Sequence, residues 1–379
     1  MSTEFPLISW NEAGEPRSAR WRSESGHAPP KRVVISDDRI TADAAYRLAC
    51  EGSAMLWRGD FQNARQLLQA LMRRAEARPR KPVMAGTPVE AFHLHRQVQS
   101  QRARTLAMLL LPLDADYRIP LRRAPDLRTA CEEAYGPAAP GSYACVVSLR
   151  ELLGVVGAHE WRKKGVAVAA LEAHIYPHYG VFAPVRAEYV DLVATAPLTP
   201  ATLAFDIGTG TGVLAAVLAR RGIAQIIATD QDARALACAR DNLARLGLTG
   251  RVEVQWADLF PVGQAPLVVC NPPWLPARPS SSLETAIYDP ESRMLLGFLG
   301  GLAAHLTPEG EGWLLLSDLA EHLGLRSRDE LLAAIDMAGL KVVGRHDTRP
   351  HHPRVADAND PLHTARAAEV TSLWRLAVR

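Results

Sequence analysis

The sequence predicts an α/β fold in its C-terminal half, because apolar strand patterns and helical patterns alternate there. The alternation begins with a glycine-rich loop between a strand and a helix. Residues 202–207 form a short apolar run that leads into Gly208, Gly210 and Gly212, and residues 213–221 have a helical pattern. A strand, a glycine loop and a helix in this order let the backbone approach a ligand closely.

The spacing of the loop argues against a dinucleotide ligand. The dinucleotide-binding motif Gly-x-Gly-x-x-Gly requires its third glycine at the position of Val213. This chain has its third glycine one residue earlier, at Gly212. Asp206 precedes the loop, where its carboxylate would repel a pyrophosphate. We therefore expect a cofactor that carries an ammonium and a sulfonium group.

The next two predicted strands also end in acidic residues. Residues 225–229 form an apolar run that ends at Asp230, and a helical pattern follows over residues 232–246. Residues 251–255 alternate as a strand that leads to Asp258. An acid at the end of the second strand can accept hydrogen bonds from ribose hydroxyls. Asp258 is placed to accept one from the exocyclic amine of an adenine.

The fourth predicted strand, residues 266–270, is followed by Asn271, Pro272, Pro273 and Trp274, which we call the Asn-Pro-Pro-Trp segment. The Asn side chain offers an acceptor oxygen and two N–H donors. The prolines fix two φ angles, and the Trp supplies a flat aromatic face. These groups suit a planar acceptor whose N–H₂ group must be held. The alternative is a plain Asn-Pro turn with a core Trp.

The remaining C-terminal patterns complete a sheet. Helices are predicted over residues 293–306 and 328–338, and a fifth strand over residues 312–317. Residues 340–345 and 370–378 are the last two predicted strands, which we expect to pair antiparallel. Between the Asn-Pro-Pro-Trp segment and the first of these helices, residues 277–289 are either a lid over the acceptor or a passive connection.

With these motifs in this order, residues 176–379 resemble a class I S-adenosylmethionine-dependent methyltransferase of the Asn-Pro-Pro-aromatic branch. Members of that branch methylate glutamine amides in release factors and ribosomal proteins, or exocyclic amines of adenine and guanine. The resemblance implies a Rossmann-like seven-stranded mixed sheet with an antiparallel last strand, and S-adenosylmethionine as the cofactor. The segment at residues 178–186 resembles the lead-in that closes over the methionine end of the cofactor.

The resemblance also implies which residues form the site. The implied catalytic residues are Asn271, Pro272, Pro273 and Trp274. The implied cofactor-binding residues are Phe182, Pro184, Arg186, Asp206, Gly208, Thr209, Gly210, Gly212, Asp230, Gln231, Asp258, Leu259 and Asn271. Tyr or Phe is commoner where Trp274 stands, so the nature of the acceptor stays open.

We expect transfer of a methyl group to a planar amide or amine nitrogen, and slightly favour a glutamine side chain of a protein. The first alternative is an exocyclic amine of adenine or guanine in RNA or DNA. A small-molecule acceptor and a non-catalytic cofactor-binding scaffold are further alternatives. An intact glycine loop together with an intact Asn271 argues against a scaffold, which would not need both.

The N-terminal half is predicted to be a separate substrate-recognition domain. Residues 1–36 are expected to be a poorly ordered basic arm with a strand at residues 32–35, residues 37–170 a mostly helical α+β domain, and residues 171–379 the methyltransferase domain. Helical patterns cover residues 38–77, 89–111, 126–135 and 148–156, and strand patterns cover residues 117–121 and 143–147.

The charge is uneven along the chain. Residues 1–170 contain 25 Lys or Arg and 18 Asp or Glu, a net charge of +7, and the remaining residues contain 18 and 23, a net charge of −5. This basic half either binds an anionic partner such as RNA or simply presents solvated helix faces. We therefore expect a protein or RNA substrate to bind through the N-terminal domain.

The cysteines and histidines favour a reducing cytoplasmic location without a metal site. The five cysteines form no Cys-x-x-Cys pair, so buried free thiols are expected. The polar N-terminal residues do not resemble a signal peptide, and no apolar run has transmembrane length. A His-rich stretch contains His346, His351, His352 and His363, but its spacing favours a polar surface loop over a metal site.

Overall fold

The computed structural model describes residues 6–77, 86–138, 143–279, 284–350, 357 and 360–379. They fall into two compact units. The N-terminal unit contains most of residues 1–160, and the C-terminal unit contains residues 86–92 and most of residues 161–379.

The N-terminal unit is built on one six-stranded mixed sheet. Its strands are β1 (Leu7–Glu12), β2 (Glu15–Arg22), β3 (Arg32–Ser36), β4 (Ser53–Trp57), β5 (Leu109–Leu113) and β6 (Cys145–Ser148). They lie in the order β1-β2-β6-β5-β4-β3. The helices of this part of the chain are α1 (Ala42–Cys50), α2 (Phe61–Ala77), α3 (Pro88–Leu106), α4 (Arg128–Tyr135) and α5 (Leu149–Lys164).

The prediction of a poorly ordered arm over residues 1–36 is wrong for its described part. β1 and β2 form an antiparallel hairpin whose turn contains Ala13 and Gly14, both at positive φ. Ile8 and Trp21 on these strands are buried. The abundance of Pro, Ser and Arg suggested an arm, but the hairpin buries two large apolar side chains against the sheet. The strand predicted at residues 32–35 corresponds to β3.

Two long predicted helices are also wrong in part, because each contains a buried strand. β4 interrupts the helix predicted over residues 38–77, and β5 begins inside the one predicted over residues 89–111. All five residues of β4 and four of the five in β5 are buried. Central strands covered on both sides lack the apolar and polar alternation that distinguishes a strand from a helix. The strand predicted at residues 117–121 is absent from the described structure there.

The C-terminal unit contains a small two-stranded sheet and a seven-stranded sheet. The small sheet pairs β7 (Val166–Val168) with β8 (Ala173–Ile175). The strands of the large sheet are β9 (Leu203–Ile207), β10 (Gln225–Asp230), β11 (Val252–Trp256), β12 (Ala265–Cys270), β13 (Leu306–Ser317), β14 (Leu340–Thr348) and β15 (Thr371–Val378). The helices are α6 (Glu188–Thr195), α7 (Val213–Arg220), α8 (Ala233–Arg245), α9 (Arg293–His305), α10 (Leu319–His322), α11 (Arg328–Met337) and α12 (His363–Ala368).

The large sheet confirms the predicted seven-stranded mixed sheet with an antiparallel last strand. Its order is β11-β10-β9-β12-β13-β15-β14. The first five strands pair in parallel, whereas β15 runs antiparallel to both β13 and β14. Ligands of such sheets bind at the carboxyl ends of the parallel strands, on either side of the point where the strand order reverses.

Two apolar layers cover the faces of this sheet. Ala204 on β9 packs into the layer that contains α6 and α7, and Phe205 beside it packs into the layer that contains α9 and α11. Trp274 packs against both layers. Successive residues of β9 therefore pack against helices on opposite faces of the sheet. The carboxyl end of β9 lies between these two layers of helices.

A buried asparagine ties the lead-in segment to the glycine loop. Asn242 on α8 accepts a 2.7 Å hydrogen bond from the backbone N–H of Tyr176 and donates to the carbonyls of Tyr176 and Thr211. The side chain is 1% exposed. Because its oxygen and its amide group are both engaged, Asn242 holds the segments that flank the candidate site in one arrangement.

Among the described residues, no helix is long and apolar enough to cross a membrane.

Candidate functional site

The glycine loop after β9 follows a path that only glycine adopts easily. Gly208, Gly210 and Gly212 have φ angles of 71°, 55° and 81°, in the left-handed region. A Cβ at Gly208 would collide with Met294, and one at Gly212 would lie 3.3 Å from Ala239. A Cβ at Gly210 would meet nothing within 4 Å. The loop is thus packed at both ends and open at its centre, where a ligand can approach the backbone.

Asp206 holds this loop in place by two hydrogen bonds. Its Oδ2 atom accepts hydrogen bonds from the Thr209 hydroxyl, at 2.6 Å, and from the Ala215 backbone N–H, at 3.1 Å. The residue is 1% exposed, and burial, reinforced by the charge of Asp230, raises its pKa to about 6. The buried Asp206 carboxyl group is therefore negatively charged at neutral pH, next to the loop.

Asp230 holds the open centre of the loop. Its Oδ2 atom accepts a 3.0 Å hydrogen bond from the Gly210 N–H, and its Oδ1 atom accepts a 2.9 Å bond from the Asp232 N–H. Burial raises the pKa of this carboxyl as well. The two carboxylates make the edge formed by β9 and β10 negatively charged, which favours a cationic ligand and disfavours a phosphate.

The end of β11 supplies an aromatic surface that the sequence interpretation missed. Trp256 pairs with Asp230 in the sheet register, is 67% exposed, and donates its indole N–H to the Gln231 carbonyl at 3.1 Å. Trp256 is the last residue of an alternating strand and lies opposite Asp230, the acid predicted to bind ribose, and this position could have indicated it from the sequence. A large exposed indole held in this way offers a flat apolar face at the site.

The two residues predicted near the adenine differ in their surroundings. Asp258 is exposed and forms an ion pair with Arg293 at 3.3 Å. Leu259 has a φ of 76°, an unusual value for a branched residue, and its carbonyl accepts a 2.6 Å bond from the buried Thr229 hydroxyl. Thr229 therefore fixes the strained turn that follows β11 next to the glycine loop.

The Asn-Pro-Pro-Trp segment contains an internal hydrogen bond. The Trp274 Nε1–H donates to the Asn271 Oδ1 atom at 2.9 Å. Since an indole N–H can only donate, this bond establishes that the amide oxygen of Asn271 faces Trp274. In the sheet register Cys270 lies beside Ile207, so Asn271 follows β12 at the point where the glycine loop follows β9.

The lead-in segment reaches the Asn-Pro-Pro-Trp segment through Arg186. The Arg186 guanidinium carbon lies 5.6 Å from the centroid of the Trp274 ring. The same guanidinium donates to Glu188 at 2.8 Å and to Glu369 at 3.1 Å. Glu369 is buried and accepts a 2.7 Å bond from the Ser317 hydroxyl at the end of β13. In the same segment, Pro184 is buried and Phe182 is exposed.

The structure thus places the predicted residues along one edge of the sheet. Asp206, Asp230 and Asn271 lie at the carboxyl ends of neighbouring strands, and Arg186 joins them through Trp274. Glu369 was missed because it lies almost two hundred residues from Arg186 in the chain and belongs to no local motif.

The His-rich stretch is only partly described. His346 lies in β14 and His363 in α12, whereas His351 and His352 lie outside the described residues. In the part of the chain that the structure describes, no three His, Cys, Asp or Glu side chains are grouped as a metal site. Of the five free cysteines, four are buried and Cys50 is exposed.

Part of this chain is similar in sequence to known proteins. Residues 173–316 match the family of the methyltransferase small domain. A release factor glutamine methyltransferase of Cereibacter sphaeroides is 33% identical over 178 residues, which are 43% of this chain and 63% of that protein. A tRNA1(Val) (adenine(37)-N6)-methyltransferase of Cytophaga hutchinsonii is 33% identical over 134 residues, which are 33% of this chain and 56% of that protein.

A third relative is a ribosomal protein L11 methyltransferase of Symbiobacterium thermophilum, 36% identical over 74 residues, which are 20% of this chain and 24% of that protein. The chain spans less than two thirds of the length of each of these relatives. The matched residues, 173–316, include β9 to β13 of the large sheet and the glycine loop.

The raised pKa of Asp206 predicts a pH-dependent stability. In the folded protein the Asp206 carboxyl group has a pKa of about 6, compared with 3.8 for a free Asp side chain. The contribution of protonated Asp206 to the free energy of unfolding is therefore fully present below about pH 4. It declines as the pH rises towards 6 and does not change further above that pH. Relative to Asp206→Asn, the free energy of unfolding of the wild type should fall by up to about 3 kcal/mol over this window.

Urea denaturation of both proteins at intervals from pH 4 to pH 8 measures this difference. Asp258→Asn, which removes an exposed carboxylate from the same edge, is the matched control. A wild-type-minus-Asp206→Asn difference that does not vary with pH would contradict the raised pKa.

Proposed function

We propose that this protein is an S-adenosylmethionine-dependent N-methyltransferase that acts on a planar nitrogen, and we favour a glutamine side chain of a protein as the acceptor. The observation that carries the proposal is the hydrogen bond from Trp274 to Asn271. It holds an amide oxygen in a defined orientation on the strand next to an open glycine loop.

The residues at the sheet edge fit S-adenosylmethionine. The buried charge of Asp206 favours a ligand with cationic groups, and Gly210 leaves room for it above the loop. Asp230 lies where ribose hydroxyls can donate to its carboxylate, and Trp256 offers a face to an adenine. When bound, this cofactor supplies an electrophilic methyl group on a sulfonium.

Asn271 would act on the acceptor nitrogen. The lone pair of an amide or arylamine nitrogen is delocalised, so the nitrogen is a poor nucleophile. An Asn271 oxygen and a Pro272 carbonyl that accept its two N–H bonds return electron density to the nitrogen and aim it. The nitrogen becomes acidic once methylated and loses its proton without a strong base. Asn271 and Pro272 would thus present the nitrogen to the methyl group that a bound S-adenosylmethionine would supply, with S-adenosylhomocysteine as the leaving group.

Trp274 would hold Asn271 in place. Its N–H occupies one lone pair of the Asn271 oxygen and leaves the second for the acceptor. The guanidinium of Arg186, anchored by two carboxylates, lies over the indole and limits its movement. Stacking of the acceptor on Trp274 stays a prediction, and it would require the ring face opposite Arg186.

The choice of acceptor rests on the relatives. The longest of the three matches is to a glutamine methyltransferase, over 178 residues. The alternative, an exocyclic amine in RNA or DNA, is supported by the net charge of +7 over residues 1–170 and by similarity to a tRNA adenine methyltransferase. In both cases we assign acceptor recognition to the N-terminal unit.

Labelling would separate the two acceptor classes. The full chain is incubated with S-[methyl-³H]-adenosylmethionine and an extract of cells that lack this protein. A protein glutamine acceptor predicts label that is released by protease and resistant to nuclease. Label released only by nuclease would favour the nucleobase alternative, and absence of label in the protein, nucleic-acid and small-molecule fractions would contradict the methyltransferase proposal.

The positioning role of Trp274 predicts a selective loss of rate. Trp274→Phe keeps an aromatic ring and removes the N–H, so the Asn271 amide can rotate away from its productive orientation. We expect kcat to fall roughly 5- to 30-fold, which corresponds to about 1–2 kcal/mol. The dissociation constant of S-adenosylhomocysteine should stay nearly unchanged.

Steady-state kinetics and calorimetry measure these two quantities. Trp161→Phe, at an exposed Trp on α5, is the matched control and should have the wild-type kcat. If Trp274→Phe retains full activity, the indole N–H does not position Asn271.

A further inference from the structure

A pocket of about 420 Å³ lies in the C-terminal unit. Pro276, two residues beyond Trp274, forms one wall. Leu295 on α9 and Leu331 on α11 give it apolar sides, and Arg326 lies between α10 and α11. The volume is in the range of small-molecule or side-chain binding sites.

Arg326 is a buried cation with two unpaired nitrogens. It is 9% exposed, and its Nε and Nη2 atoms are buried with no hydrogen-bond partner among the described residues. These two nitrogens form one edge of the guanidinium, the edge that grips both oxygens of a carboxylate in a bidentate pair. Burial lowers the pKa of Arg326, which reflects the cost of this unpaired charge.

Three carboxylates near Arg326, those of Asp289, Glu321 and Glu330, are engaged elsewhere. Asp289 accepts from the first backbone N–H groups of α9, and Glu321 accepts from Arg328 at 2.7 Å. Glu330 closes the capping box at the start of α11. Turning any of them towards Arg326 would break an existing helix cap or ion pair. These three carboxylates therefore leave the Nε–Nη2 edge of Arg326 unpaired.

The composition of the wall favours a single carboxylate over a phosphodiester chain. Glu291 and Glu330 line the same pocket, so a polyanion would be repelled, whereas one carboxylate on an apolar stem meets Arg326 at one end and leucines at the sides. Glu291 and Ser292 both have left-handed φ angles, 58° and 54°, so this wall also stores backbone strain.

We propose that this pocket is a carboxylate-binding subsite for the acceptor protein, which it holds by an acidic side chain or by the C-terminal carboxylate. The assignment to the acceptor rests on the proposed function and on the position of Pro276 next to the segment that carries Asn271. The carboxylate docks on the Nε–Nη2 edge of Arg326, its stem packs on Leu295 and Leu331, and the rest of the acceptor continues towards Asn271.

A titration followed by NMR tests binding without any methyl transfer. The ¹⁵N–¹H signal of the Arg326 Nε–H in the full chain, assigned by its loss in Arg326→Lys, is monitored during addition of N-acetyl-glutamate α-amide. We expect a saturable shift, and binding about tenfold weaker or more for N-acetyl-glutamine α-amide and for dimethyl phosphate. N-acetyl-leucine, which offers a C-terminal carboxylate, shows which of the two sources fits better.

A signal that does not move with either carboxylate would overturn the proposal, and so would tighter binding of dimethyl phosphate, which would point to a nucleic acid. If a carboxylate binds but no extract component is methylated, the methyltransferase proposal fails while the pocket assignment stands. If an extract protein is methylated but no carboxylate binds, the pocket assignment fails while the methyltransferase proposal stands.

A stability measurement separates a binding residue from a structural one. Arg326→Met removes an unpaired buried charge, so the melting temperature of the ligand-free protein should rise. Arg328→Met, the matched control, removes an Arg that is paired with Glu321 and should lower it. A lower melting temperature for Arg326→Met would show that the guanidinium stabilises the fold without a ligand, contrary to the proposal.

Discussion

The parallel register of β10, β9 and β12 is the constraint on which the candidate site depends. Ile207 pairs with Thr229 on one side and with Cys270 on the other, so all three strands end at the same level. Groups that are far apart in sequence, the glycine loop, Asp230 and Asn271, therefore share one edge. Because a shift of one residue would turn every side chain to the opposite face, the two apolar layers that cover the sheet also secure the site.

The site combines two different electrostatic environments. Near the glycine loop, burial raises the pKa of Asp206 and the charge of half-buried Asp230 adds to it, which prepares this end for a cation. Near Trp274, Arg186 is balanced by Glu188 and Glu369. The methyl donor and the acceptor are therefore proposed to meet between an edge of unpaired carboxylates and an edge whose carboxylates are paired with Arg186. Asn271 lies at this junction as an uncharged group that directs a nitrogen without titrating.

The sequence predicted the C-terminal sheet because its strands are short, separated by helices and punctuated by glycine or acidic residues. It predicted the N-terminal unit poorly, because β4 and β5 are continuous apolar runs that resemble buried helices. At the site, residues in local motifs could be named in advance. Contacts that depend on tertiary packing could not: Glu369 reaches Arg186 from another part of the chain, and nothing local indicates that Arg326 lacks a partner.

We propose that Asn271 acts on the acceptor nitrogen and not on the cofactor. The most direct measurement pairs calorimetric titration of S-adenosylhomocysteine with single-turnover methyl transfer, for the wild type and for Asn271→Ala. We predict that the wild type binds S-adenosylhomocysteine, that the variant binds it with nearly the same affinity, and that transfer by the variant is abolished. Transfer retained by Asn271→Ala, or no binding of S-adenosylhomocysteine by the wild type, would contradict the account.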